Sequence, residues 1–205
     1  MKCTSTTTGL LTLVAMIVLG ALSAGSASAS TFLWTGPLPG LVLILSDNTQ
    51  VFTTEPGGLK VECKHFGAHG IASNGISMAA KTIKLVGTYS KCTAAGLGAK
   101  ITTAEYVLNS DESVAVVGSP IVITVPEAGC SIKVNSGAPN NKLKSIRFLN
   151  QPNGTILGHV EVTNITSLGS NGACGTPGEE KKEGSYTGLL SATLHGGTLK
   201  WDLNA

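Results

Sequence analysis

The sequence predicts an all-β protein, an antiparallel β-sandwich with a β-barrel as the alternative, held by two disulfides. Three observations carry this expectation. Leu59-Lys60-Val61-Glu62-Cys63-Lys64 alternates apolar and charged residues, which puts apolar groups on one face of a strand and charges on the other. A cysteine stands on the apolar face of that segment and a second ends the run Lys84–Cys92, so a covalent tie between neighbouring strands is expected. Beyond residue 29, Gly and Pro punctuate the chain too often for long helices, and β-branched residues dominate the apolar runs between them.

The chain has 205 residues, and its beginning reads differently from the rest. Lys2 is followed by a mainly apolar run, Leu10–Leu22, and then by small residues through Ser30. A positive start, an apolar middle and a small-residue end are the order of a secretory signal, and Ala27-Ser28-Ala29 fits its cleavage rule. Residues 1–29 are therefore read as a signal peptide with a helical apolar part, and 30–205 as one all-β domain, secreted or held at the cell surface. A retained anchor is the competing reading, but a spanning helix needs roughly 18 to 20 apolar residues and this run is shorter. No later apolar run is long enough to cross a bilayer, so no membrane span is expected after signal removal.

Lys and Arg number 14 against 12 Asp and Glu, a formal net charge of +2, and no basic stripe runs along the chain. That balance argues against a surface that neutralises nucleic-acid phosphates. Charged residues make up 13% of the chain, against roughly 25% in an average domain, so Thr, Ser, Asn and Gly must supply the polarity. Those residues suit exposed strand faces and tight turns.

Four cysteines follow the leader: Cys63, Cys92, Cys130 and Cys174. An even count in an exported chain reads as two disulfides with three possible connectivities. Sequential pairing, Cys63–Cys92 and Cys130–Cys174, is the expectation. Its loops of roughly 30 and 45 residues give about 3.5 and 4 kcal/mol in the chain-entropy model.

The elements follow in order. Phe32-Leu33-Trp34 opens the domain, and Thr35–Gly40 is a turn-rich break. Leu41-Val42-Leu43-Ile44-Leu45 is apolar on both faces and is expected to be a buried strand. Ser46–Thr49 is expected to turn it into Gln50–Thr53, and Pro56-Gly57-Gly58 to lead into the Cys63 strand. Ile71–Met78 is patterned around Asn74-Gly75, a favoured hairpin dipeptide. Ile83, Leu85, Gly87 and Tyr89 share one face of the strand ending near Cys92, and Thr93–Lys100 is expected to be a small-residue loop.

Ile101–Leu108 and Ser113–Val117 flank a hairpin turn, Asn109–Glu112. Pro120 precedes the strand Ile121–Val125. Cys130, Ile132 and Val134 are expected inward with Lys133 outward, and Asn135–Asn141 as loop. Ile146 and Phe148 mark a strand turned at Pro152-Asn153-Gly154. Along Ile156–Ile165, Val160 and Val162 should point in and His159 and Glu161 out. Gly169–Gly184 is expected to be a long polar connection tethered by Cys174, and Tyr186–Leu194 with Thr198–Leu203 a closing hairpin around Gly196-Gly197.

The order Leu59–Cys63, Tyr89-Ser90-Lys91-Cys92, Glu105–Leu108, Ile121–Thr124 then Cys130, and Gly184–Gly188 resembles a family of uncharacterised secreted proteins of high-G+C Gram-positive bacteria. The likeness covers nearly all of residues 30–205. It implies export and an all-β fold and brings no known activity. Family members carry two further cysteines, matching about Ala104 and about Val117 here. Both are absent together, as a bridge lost as a unit would be, which leaves Cys63 with Cys92 and Cys130 with Cys174.

Few constellations carry chemistry. Cys63-x-His65-x-x-x-His69 offers metal-ligand types, but a fourth ligand for zinc is not apparent nearby, and a disulfide claims Cys63. Ser46-Asp47-Asn48 matches one β-lactamase motif without the accompanying S-x-x-K and K-T-G, so it reads as a turn. His159-Val160-Glu161 resembles the H-x-E of zinc deaminases without their P-C-x-x-C. Gly96–Lys100 lacks the spacing of a phosphate loop, and the run around Ser191 is not a nucleophile elbow.

Asp111-Glu112 is the most visible carboxylate pair, at a hairpin tip where both should face water. Aromatics are 4% of the chain, with Trp34 and Trp201 near opposite ends, too few for a carbohydrate-binding platform. Asn153-Gly154-Thr155 and Asn164-Ile165-Thr166 fit a glycosylation sequon that matters only in a eukaryotic secretory route.

The expectation is a non-enzymatic exported β domain with a structural or binding role, no cofactor, no metal, and an extracellular or cell-envelope protein as its possible partner. A secreted hydrolase assembled from distant strands is the alternative from another class. A small-ligand carrier is the third, to be favoured by an apolar, aromatic-lined cavity.

Overall fold

A computed structural model describes residues 30–36, 40–55, 58–72, 79–134, 143–144 and 146–203. The expected signal peptide, the Asn74-Gly75 hairpin, the loop 135–141 and the pair Pro56-Gly57 lie outside the described residues. The strands are β1 (Thr31–Thr35), β2 (Gly40–Ser46), β3 (Gln50–Thr53), β4 (Lys60–Ala72), β5 (Ala79–Ala80), β6 (Thr82–Ala94), β7 (Leu97–Ile101) and β8 (Ala104–Asn109). They continue with β9 (Ser113–Val117), β10 (Ile121–Val125), β11 (Cys130–Val134), β12 (Leu143–Lys144), β13 (Ile146–Asn150), β14 (Ile156–Gly169), β15 (Glu180–Leu194) and β16 (Thr198–Asp202).

Every strand pairing among the described residues is antiparallel, and many join strands that are not consecutive in the chain. β2 and β3 lie end to end against β4, with Val42 opposite Gly70 and Phe52 opposite Val61. β4 pairs with β6, β6 with β7 and β8, and those two with β10 and β9. β10 pairs with β11 and β9 with β12, while β11 and β13 both lie on β14. β14 pairs with β15, and β15 returns to β2 and β3, with Ala192 opposite Ile44 and Tyr186 opposite Phe52. The ladder therefore closes on itself through eight strand positions, an up-and-down β-barrel. Its opposite walls pack across one core, as the two layers of a sandwich do.

Alternation builds that core. Inward residues include Val42 and Ile44, Ile83 and Leu85, Ile123 and Val125, Ile132, Ile156, Val160 and Val162, all buried. The alternation switches where Cys63 and Cys92 stand directly opposite each other: Cys63 and Phe66 both point in, as do Tyr89 and Cys92. Two outward residues on each strand make the switch, Lys64 and His65 facing Ser90 and Lys91, and Lys91 takes a left-handed φ of 53°. The disulfide Cys63–Cys92 joins these strands with Cα atoms 3.9 Å apart. The second, Cys130–Cys174, ties the start of β11 to the connection between β14 and β15, with Cα atoms 5.8 Å apart.

One barrel end is covered by the chain's first and last described strands. β1 pairs with β16 along its length, Phe32 opposite Trp201 and Trp34 opposite Leu199, and β5 lies on the other edge of β1. Phe32, Trp34 and Leu199 are fully buried, and Phe32 meets Phe148 of β13 edge-on at 5.3 Å between ring centroids. Asn150 fastens this cap: its Oδ1 accepts from the Trp201 N–H and its Nδ2 donates to the Trp201 carbonyl, both at 2.7 Å.

Several expected elements differ. Leu41–Leu45 is not buried on both faces: Val42 and Ile44 enter the core, whereas Leu45 is 60% exposed on the outer wall. Ser46–Thr49 does not reverse the chain; β2 and β3 continue in one direction, and the extra residues bulge outward. Thr93–Lys100 is a tight hairpin rather than a loop, because Ala95 and Gly96 take the two positive φ angles, 50° and 84°, that match strand twist. The connection before β15 is shorter than expected, since Glu180–Glu183 is already strand. Finally, β16 leaves β15 and pairs with β1, where Leu199 finds a buried place beside Trp34.

Candidate functional site inside the barrel

The barrel interior holds a cavity of about 120 Å³. Its walls are apolar, with Ile44, Phe52, Leu85, Ile123, Val160 and Val162 among the side chains that reach it from around the ring. Apolar inward positions are what the alternation requires, so the polar groups among them call for an account. Gln50, Tyr89, Tyr106 and Tyr186 also line the cavity. The chain has three tyrosines, and β6, β8 and β15 bring all of them here.

These four side chains form one hydrogen-bonded line. The Tyr186 hydroxyl donates to Gln50 Oε1 at 2.6 Å, and Tyr89 donates to Tyr186 at 3.4 Å. The hydroxyls of Tyr89 and Tyr106 are 3.2 Å apart. Gln50 Nε2 turns the other way, its two protons shared among Ser46 Oγ at 2.8 Å, the Asn48 carbonyl at 3.0 Å and the Leu189 carbonyl at 3.4 Å. The bulge of residues 47–49 brings the Asn48 carbonyl to that amide. Phe66 packs its ring on Tyr89 at 4.7 Å and against Tyr106 at 6.0 Å.

Burial pushes the phenol pKa of Tyr89 and of Tyr106 well above the usual tyrosine value, and the neighbouring phenol adds to the shift in each. Burial likewise raises Tyr186. All three are neutral phenols at physiological pH, each with one proton to donate. Missing side chains make room for the line. A Cβ on Gly188 would collide with the Gln50 amide, and one on Gly87 would lie 2.8 Å from the Tyr106 ring and 2.9 Å from that of Phe66.

The residues singled out by sequence lie elsewhere. Cys63 points inward into its disulfide, whereas His65 lies on the outer wall with its Nδ1 3.0 Å from Asp47 Oδ1. His69, His159, Glu161 and His195 are exposed. Among the described residues, no three His, Cys, Asp or Glu side chains converge as a metal site would need. Ser191 sits between Leu45 and Leu157 in register, away from any histidine partner in its pairing.

Asp111 is exposed at its hairpin tip and accepts from Ser113, while Glu112 accepts from the Phe148 N–H at 3.4 Å. A second recess of about 190 Å³ lies at the far end of the barrel beside Cys174, and the Lys181 that lines it is held by Glu179 at 2.8 Å and Glu55 at 3.5 Å.

The polar line was not anticipated from sequence. Its one legible sign was a polar side chain at an inward position: Gln50 two before Phe52, and Tyr89 in step with Ile83, Leu85 and Gly87. Nothing local links Gln50 to Tyr186. Among the described residues no helix is long and apolar enough to cross a membrane, and both disulfides fit an oxidising compartment. No protein-family model, no curated protein and no solved structure matches the chain.

Proposed function

We propose that this chain is an exported, non-enzymatic binding protein that carries a small, mostly apolar molecule inside its barrel. The carrying observation is the apolar cavity inside the barrel with one organised polar line at its wall, the composition of a small-molecule site. The signal-like leader and the paired cysteines support export to an oxidising compartment. His69, His159 and His195 are exposed on the outer surface, and His65 meets Asp47 on the outer wall rather than in the cavity, which favours carriage over hydrolysis. A cavity near 150 Å³ accommodates benzene, so the cargo here is of about six heavy atoms.

The test is a thermal-shift titration of the oxidised protein with cyclic hydrocarbons and alcohols of that size. A saturable rise in Tm is expected, as a ligand that binds the folded state alone must produce. Filling the cavity with Val162→Phe should abolish the rise. A Tm unmoved by every compound in the series would contradict the proposal.

A further inference from the structure

The direction of the hydrogen bonds in the cavity wall is fixed by the backbone, and it decides which polar end a cargo presents. Gln50 must turn its NH2 toward the carbonyls of Asn48 and Leu189, because carbonyls only accept. Its Oε1 is thereby aimed at Tyr186, whose single proton is spent on it. Tyr186 then accepts from Tyr89, and that uses the Tyr89 proton. In the remaining pair Tyr106 must donate to Tyr89. The line therefore runs one way, from Tyr106 through Tyr89 and Tyr186 to Gln50. It begins at a hydroxyl oxygen that gives its proton away and receives none from any group among the described residues.

We propose, on the basis of the carriage reading above, that the cavity selects neutral molecules bearing a hydroxyl donor, a small alcohol or phenol, whose proton goes to the Tyr106 oxygen. A ketone or ether of the same shape would bury an acceptor against an acceptor and leave both unsatisfied. A charged amine is disfavoured because no carboxylate lines the cavity to pair with it. Specificity would then come from polarity, with the apolar wall setting size.

The experiment is an NMR titration of the oxidised protein with cyclopentanol, cyclopentanone and cyclopentane, three ligands of nearly one size. Cyclopentanol is expected to bind about tenfold more tightly than cyclopentanone. Tyr106→Phe, which keeps the ring and removes the acceptor, should bring that ratio close to one. Gln50→Met, which frees the line to reverse, should lower the ratio as well. Equal binding of alcohol and ketone by the unaltered protein, with cyclopentane also bound, would overturn donor selection and leave carriage standing. A ratio that survives Tyr106→Phe would overturn the assignment to Tyr106. Binding of none of the three would overturn both the selection and the carriage it rests on.

Discussion

Gly188 stands where any side chain would collide with the amide of Gln50, on the neighbouring strand position. Its backbone is ordinary strand, so the requirement is for space. Gly188→Ala should push the amide off its partners and cost about 1–3 kcal/mol by overpacking. Urea denaturation measures this; a midpoint equal to that of the unaltered protein would mean the amide has room that the structure denies it.

The tyrosine line predicts a pH signature. A folded phenol whose pKa is raised holds its proton more tightly than in the unfolded chain. The contribution to stability is complete below the unfolded value near 10 and is lost as pH rises above it. Because the chain has no tyrosine outside the line, absorbance at 295 nm reports the line alone. The folded protein should remain silent at pH 11 and ionise only as it unfolds. A single tyrosine titrating near 10 with native circular dichroism would show that the cluster is open to solvent.

Cys63 directly faces Cys92 in the β4–β6 register, and a separation of 29 residues gives about 3.5 kcal/mol in the chain-entropy model. Replacing both with Ala should cost about 2–5 kcal/mol. Non-reducing peptide mapping should recover the Cys63 peptide joined to that of Cys92 and the Cys130 peptide joined to that of Cys174. A peptide linking Cys63 to Cys130 would refute the register of β4 on β6.

Asn150 holds the terminal cap through both backbone groups of Trp201 at an exposed position, where water can take over the bonds. Asn150→Leu should therefore cost only about 1 kcal/mol yet loosen β16. Proteolysis after Lys200 should speed up in the variant; an unchanged rate would mean the apolar contacts of Leu199 and Phe32 hold the cap alone.

The two faces of β2 separate inside from outside most sharply. Leu45, 60% exposed, should tolerate Lys within about 0.5 kcal/mol, whereas Lys at Ile44, 1% exposed, should prevent folding. Comparable yields of folded protein from Leu45→Lys and Ile44→Lys would contradict the inward assignment.

Strands with strict alternation were legible in the sequence. His159 and Glu161 face out while Val160 and Val162 face in, because a period of two leaves no other arrangement. The sequential cysteine pairing was one of three connectivities open to four cysteines, and alternation bears only on Cys63 and Cys130, since Cys174 stands in a turn. Leu41–Leu45 misled because a solid apolar run has no period, and only the neighbouring strands decide which face meets solvent. Closure of the barrel, and the meeting of Trp34 with Leu199 from opposite ends of the chain, depend on contacts more than a hundred residues apart. Gln50 reads as an isolated polar residue until the bulge before it and β15 beside it supply its partners.

The most direct test of carriage is to locate the bound molecule. Isotope-filtered NOEs from cyclopentanol to the methyl groups of the oxidised protein should reach Ile123, Val160 and Val162, which line the cavity. NOEs confined to Leu45 and Leu149 on the outer wall, with none to those three, would contradict carriage inside the barrel.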